Sequence, residues 1–253
     1  MGQALVGGLI ASGWADERAV SIVEVSAELR AVLATRYPGV SVIADPEAGV
    51  DTLLAVKPHF VATVCESLSN PSRVMSIAAG VTIATIEACV PAGTPVIRAM
   101  PNTPALVRQG ASGLAGGAAT SAADLDWAKG ILDAVGKAEV VTEAQLDAVT
   151  GLSGSGPAYV FLIAEALVDG AVTAGLPRET AKVLAHQTLL GAATMLVESG
   201  TPASELRAAV TTPAGTTAAG LRQLESGGVR SALINAVVAA TERARELGKA
   251  SGQ

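Results

Sequence analysis

AEVVTEAQLDAVTGLSGSGPAYVFLIAEALVDGAVTA, residues Ala138 to Ala174, is where the periodicity of the chain changes. Ala138–Val141 is the last β-branched, strand-like run, and Glu143–Thr150 already has helical spacing. The glycines that follow permit an irregular break, and Pro157, well placed in a first helical turn, restarts a helix that runs to Ala174. Upstream, short β-branched runs alternate with Ala-rich helical stretches. The strand-like runs are Val20–Val25, Val40–Ala44, Thr52–Val56, Arg73–Ala78, Pro95–Ala99 and Ala111–Ala115, with helices such as Ser26–Arg36 and Ser121–Val135 between them. Such alternation predicts parallel βαβ units. Downstream, Arg178–Glu198, Ala203–Thr211, Thr216–Glu225 and Val229–Leu247 all read as helices, with Gly175 closing one and Pro177 opening the next. The predicted fold class is therefore α/β. A Rossmann-like, doubly wound domain occupies residues 1–142, and an all-helical domain occupies 143–253.

Composition narrows the function. Half of the 253 residues are apolar, but only 2% are aromatic, so the core is built from Ala, Val, Leu and Ile. So much apolar surface in a modest chain also predicts subunit contact. The net charge of −6 comes without a Lys/Arg cluster, which argues against nucleic acid or an anionic membrane as partner. Long uncharged runs such as Ala148–Ala164 are interrupted by Ser, Gly and Pro and do not read as membrane spans. Cys65 and Cys89 have no metal-ligand spacing and form no disulfide framework. No signal-peptide pattern opens the chain, so a reduced, cytoplasmic setting is expected.

The most informative chemistry lies in PASELRAAVTTPAGTTAAGLRQLE, Pro202–Glu225. The turn Pro213–Gly215 runs into Thr216 and Thr217, which open a helix with free amides and hydroxyls. A helix mouth of this kind suits a small carboxylate. The whole run closely resembles the signature of the pyrroline-5-carboxylate reductase family. Three further stretches resemble the same family: AVKPH from Ala55 to His59, RAMPNTP from Arg98 to Pro104, and TGLSGSGPAY from Thr150 to Tyr159.

The resemblance implies reduction of the C=N bond of 1-pyrroline-5-carboxylate to L-proline, the last step of proline biosynthesis. NADPH is the expected cofactor, with NADH as the other candidate. Amides of Gly215, Thr216 and Thr217 would hold the substrate carboxylate, and the Thr217 hydroxyl would meet the ring nitrogen as the catalytic group. Ser155 would help shape the substrate site, and Glu143 matches an acidic residue near the substrate amine, though it equally suits a helix N-terminus. The family forms interlocked homodimers that often assemble into decamers, with substrate sites near the interface.

The cofactor residues follow from strand ends and from the same resemblance. Chain leaving a parallel strand at its C-terminal end borders the nucleotide crevice. This points to Glu24 and Ser26 after the first strand-like run, with Arg30 or Arg36 assisting at a 2′-phosphate. It also points to Ala55, Val56, Lys57 and Pro58, and to Ala78, Ala79 and Gly80, whose small side chains permit close approach. Asn102 and Thr103 either fix their turn or touch the cofactor. Met1-Gly2 matches the end of the family's glycine-rich loop, so Gly2 is the last fingerprint glycine. The strand and earlier glycines of that pattern do not precede it, and the chain is expected to be a shortened family member.

Other classes are less well supported. SGSGP does not fit the G-x-S-x-G elbow of serine hydrolases, and His59 and His186 are the only histidines. A β-hydroxyacid dehydrogenase would need a lysine on the helix Pro157–Ala174, which contains none. A catalytically silent dinucleotide-fold binding or assembly subunit is the alternative, motivated by the incomplete phosphate loop.

Overall fold

The computed structural model describes residues 1–251, with side chains through residue 248. The chain forms two compact units. One comprises residues 1–155 together with the chain from Val238 onward, and the other Gly156–Val237.

The first unit contains helix α1 (Gly2–Ala11), β1 (Ser21–Val23), α2 (Ala27–Arg36), β2 (Ser41–Ile43), β3 (Asp51–Leu54) and α3 (Val61–Ser67). It continues with β4 (Arg73–Ser76), α4 (Ile83–Glu87), β5 (Val96–Met100), β6 (Gly110–Gly116), α5 (Ala122–Asp133), β7 (Gly136–Val140) and the short α6 (Leu146–Val149). Each strand-like run of the sequence forms a strand, with ends shifted by a few residues. β1 and β2 form a parallel pair, and the other strands form one sheet in the order β3-β4-β5-β6-β7. β1 and β3, neighbours of the central lane in a doubly wound order, share no ladder.

One pairing departs from the expected parallel pattern: β5 and β6 are antiparallel, with Arg98 opposite Ala115. The link between them is a short 3₁₀ turn, Thr103–Val107, closed by Arg108 in the left-handed region at φ 57°. A parallel return would need a crossover of a dozen or more residues, which this link does not supply.

The larger sheet is covered on both faces. Val74 and Val96 join Val61, Cys65, Ile86 and Leu146 in one apolar cluster. Their strand neighbours Met75 and Ile97 join Leu5, Leu9, Leu114 and Leu132 in the other. Alternate residues of a strand face opposite sides, so consecutive apolar residues mean two buried faces. Cys65 is fully buried, and burial, with Cys89 and Glu66 adding to it, pushes its thiol up to about 11. It is a packing residue rather than a reactive thiolate.

The second unit is helical: α7 (Gly156–Thr173), α8 (Arg178–Glu198), α9 (Ala203–Ala209), α10 (Thr216–Ser226) and the start of α11 (Val229–Ser251). Gly175, at φ 105°, ends the turn after α7, and Pro177 is the N-cap of α8, one residue ahead of its first turn. α7 and α8 meet along a narrow seam of Val168, Ala181 and Ala185. Away from that seam, large apolar side chains stand in the open: Phe161 is 63% exposed, Leu162 65%, Val183 66%, Leu190 61% and Val197 76%. The run Glu143–Thr173 is long and apolar enough, by length and composition alone, to cross a membrane. It is not one regular helix, because it includes a 3₁₀ turn at Glu143–Gln145 and a π-turn at Thr150–Gly154.

Candidate active site

In the first unit, the residues expected to meet a dinucleotide follow the C-terminal ends of β1, β3 and β4 or open α1. Gly2 is the first residue of α1, and a Cβ there would stand 3.0 Å from the Cβ of Ala55, just after β3. Glycine lets the helix start close to that loop, where any larger residue would press on Ala55. Ala55 and Lys57 are exposed, Val56 packs partly into the core, and Lys57 caps the 3₁₀ turn that Pro58 opens. After β4, the Ala78 amide donates to Ser76 Oγ at 3.2 Å, which leaves Ala78 buried, Ala79 exposed and Gly80 at φ 76°. The result is a rim of small side chains beside helix N-termini, where amides lack helical partners. These residues fit a nicotinamide dinucleotide.

After β1, Glu24 Oε1 accepts the Ser26 amide at 2.9 Å, and Ser26 Oγ accepts the Leu29 amide at 3.3 Å as the N-cap of α2. Arg30 Nη1 donates to the carbonyls of Glu24 and Val25 at 2.7 and 2.9 Å, so its guanidinium stays beside the same turn. Arg36 is the last residue of α2; its Nη1 donates to Gln3 Oε1 at 2.7 Å, and its guanidinium lies over the Tyr37 ring. Of the two arginines, Arg30 is the one placed at the α2 mouth.

The segment from Thr142 to Ser155 is anchored by buried polar groups. Glu143 Oε1 accepts from the Ile83 amide at 2.7 Å and from Arg98 Nη1 at 3.2 Å. Arg98 is only 8% exposed, and a guanidinium so buried needs a partner. The Glu143 carboxylate retains a second oxygen, and its side chain is 35% exposed. Asn102 is equally buried; its Nδ2 donates to the Ser153 carbonyl, and its Oδ1 accepts the Ala111 amide, both at 2.9 Å. Of the two expectations for Asn102, these bonds realise the one in which it fixes local structure. Ser155, half-buried, closes the π-turn by donating its amide to the Thr150 carbonyl at 2.9 Å.

In the second unit, Thr216 is the first residue of α10 and Gly215 its N-cap, with extended backbone and no side-chain cap. The Gly215 expectation needs correction. Its amide donates to the Thr212 carbonyl at 3.0 Å and is not free for a ligand. The amides without helical partners are those of Thr216, Thr217 and Ala218, and sequence reasoning missed the last, although any helix leaves its first-turn amides open. Gly215 serves another purpose, since a Cβ at this position would collide with Thr212 Oγ1. Ala214 beside it adopts the left-handed φ of 58°, unfavourable for a residue with a Cβ by roughly 1–2 kcal/mol. Thr217 is half-buried, and its hydroxyl makes no hydrogen bond among the described residues.

Sequence reasoning also missed Arg98 as the partner of Glu143. Its signal was a lone charge inside the apolar strand Val96–Met100. Among the described residues, no group of His, Cys, Asp and Glu is placed to hold a metal.

Strand ends bordered by small residues and helix N-termini define a Rossmann-like dinucleotide-binding protein with a helical second part. Residues 143–247 match the family profile described as pyrroline-5-carboxylate reductase dimerisation. The chain is 43% identical to a pyrroline-5-carboxylate reductase of Corynebacterium melassecola, over 98% of this chain and 96% of the relative. It superposes on the pyrroline-5-carboxylate reductase structure from Coxiella burnetii with a TM-score of 0.90 and 39% identity, covering 97% of this chain and 94% of that one. The Plasmodium falciparum pyrroline carboxylate reductase, solved with NADP bound, gives a TM-score of 0.80 at 28% identity, covering 98% and 94%. The chain belongs to the pyrroline-5-carboxylate reductase family.

Proposed function

We propose that this protein reduces 1-pyrroline-5-carboxylate to L-proline with NADPH as its preferred cofactor, in the cytoplasm, as a homodimer that assembles further into decamers. What carries the activity is near-full-length likeness to reductases of that name; nothing in the comparisons favours a silent assembly subunit. The helical region matches a dimerisation profile, and its exposed apolar face is read as covered by a second copy rather than by lipid. The functional boundary is proposed at residue 142, just before the dimerisation match begins at Glu143, whereas the compact units divide after Ser155 and again before Val238.

When bound, the dinucleotide supplies the hydride that reduces the imine carbon. The chain holds and orients. Amides of Thr216, Thr217 and Ala218 hold the substrate carboxylate at the positive end of α10. The Thr217 hydroxyl hydrogen-bonds the ring nitrogen and relays a proton to it from solvent. Positive charge leaves the iminium as reduction proceeds, so no general base is required. Glu143, fixed through one oxygen, offers the other to the ring nitrogen, and Ser155 shapes the surrounding surface. Gly2, Ala55–Pro58 and Ala78–Gly80 line the dinucleotide, while Glu24 borders its ribose. Ser26 and Arg30 receive the 2′-phosphate at the α2 mouth, which is the support for NADPH over NADH.

Steady-state reduction of 1-pyrroline-5-carboxylate with each nicotinamide tests the reading. Turnover is expected with both, with a higher kcat/KM for NADPH. If neither cofactor is oxidised in response to substrate, the activity is wrong; a preference for NADH overturns the Ser26 and Arg30 assignment.

A further inference from the structure

Arg98 lies in the middle of β5 and Asn102 two residues beyond its end, and both are buried polar residues. Each reaches the same segment, residues 143–155, near one of its ends. Arg98 holds Glu143, and Asn102 holds the carbonyl of Ser153 inside the π-turn. Between these points Leu146 is fully buried. A π-turn leaves the regular helical ladder, so it persists where its surroundings fix it. The Asn102 amide does so with both of its ends, because Oδ1 takes the Ala111 amide at the start of β6 while Nδ2 takes Ser153. A buried amide that uses its donor and its acceptor fixes its two partners relative to one another.

We propose that Asn102 is a positioning residue of the reductase: it latches the π-turn at Thr150–Gly154 to the sheet and so sets the place of Ser155. The latch rests on the reading of Ser155 as a residue beside the substrate. It predicts that the acceptor half of Asn102 alone is insufficient. Asn102→Asp keeps an oxygen for the Ala111 amide but loses the donor to Ser153 and sets a carboxylate against a carbonyl. Asn102→Ala loses both bonds.

Steady-state assays of the full chain and both variants, varying each substrate separately, provide the test. Both variants are expected to lose on the order of ten- to hundredfold in kcat/KM for the imine substrate, with the KM for the nicotinamide within about twofold of the parent. Recovery of the parent kcat/KM by Asn102→Asp would overturn the latch, since capping the Ala111 amide would then be the whole role. Equal losses towards imine and cofactor would also overturn it, as the mark of a general structural defect. Should the variants not fold, or the parent not turn over, amide hydrogen exchange on the parent decides. The latch requires residues 150–155 and the Ala111 amide to open together, with matching protection. Exchange of 150–155 at free-loop rates while Ala111 stays protected would overturn it.

Discussion

Thr217→Ala is expected to lower turnover about ten- to hundredfold, corresponding to a loss of roughly 1.5–3 kcal/mol for one charge-assisted hydrogen bond at the reacting nitrogen. The substitution removes a hydroxyl with no other partner among the described residues and leaves the first-turn amides of α10 in place. The carboxylate is still held, so the KM for the imine should change less than kcat. Thr217→Val, which keeps the branched shape, should behave like the alanine variant. Full activity in either variant would reduce Thr217 to a helix-opening residue.

The second large effect is expected from Val183→Asp combined with Leu190→Asp. These residues are 66% and 61% exposed on α8, seven positions apart and hence on one face, which Val197 extends by another two turns. The opposite face of α8 carries Ala181 and Ala185 in the seam with α7, so the substitutions leave the seam untouched. If a second copy covers this face, each apolar side chain contributes roughly 1.5–3 kcal/mol by its burial, and a carboxylate there adds a desolvation cost. Light scattering at micromolar concentration should show at least a dimer for the parent and a monomer for the double variant. A monomeric parent, or an unchanged oligomer in the variant, would show that this face is not the contact.

Much of the architecture was legible because it rests on short-range signals. Short β-branched runs marked the strands, while caps and breakers such as Ser121, Gly175 and Pro177 marked helix ends close to where they fall. The direction of β6 was not legible, since an apolar alternation reads the same in either sense and only the length of its connection distinguishes them. Similar limits apply at the candidate site. Thr216 and Thr217 are recognisable as a helix opening from their own neighbours. By contrast, the Arg98–Glu143 pair spans 45 positions and the Asn102–Ser153 bond 51, and nothing local in the sequence pairs such residues. The fate of the Gly215 amide was hidden for a different reason. Whether it is free depends on the backbone angles of the turn before it, and Pro-Ala-Gly does not announce that Ala214 occupies the left-handed region.

That turn also bears on how a ligand is received. Pro213 has its φ fixed by its ring, and Ala214 has far fewer backbone states than a glycine would. A Cβ on Gly215 would meet Thr212 Oγ1, so glycine is required there by space, and it is Pro213 and Ala214 that restrict the chain ahead of α10. A glycine at residue 214 would relieve the left-handed strain, but it would also let the loop sample many more shapes. Alanine keeps the unpartnered amides of Thr216 and Thr217 preset, so, if α10 receives the substrate carboxylate as proposed, that carboxylate would meet donors already in place. Its capture then needs little ordering of the protein, and local strain is exchanged for preorganisation.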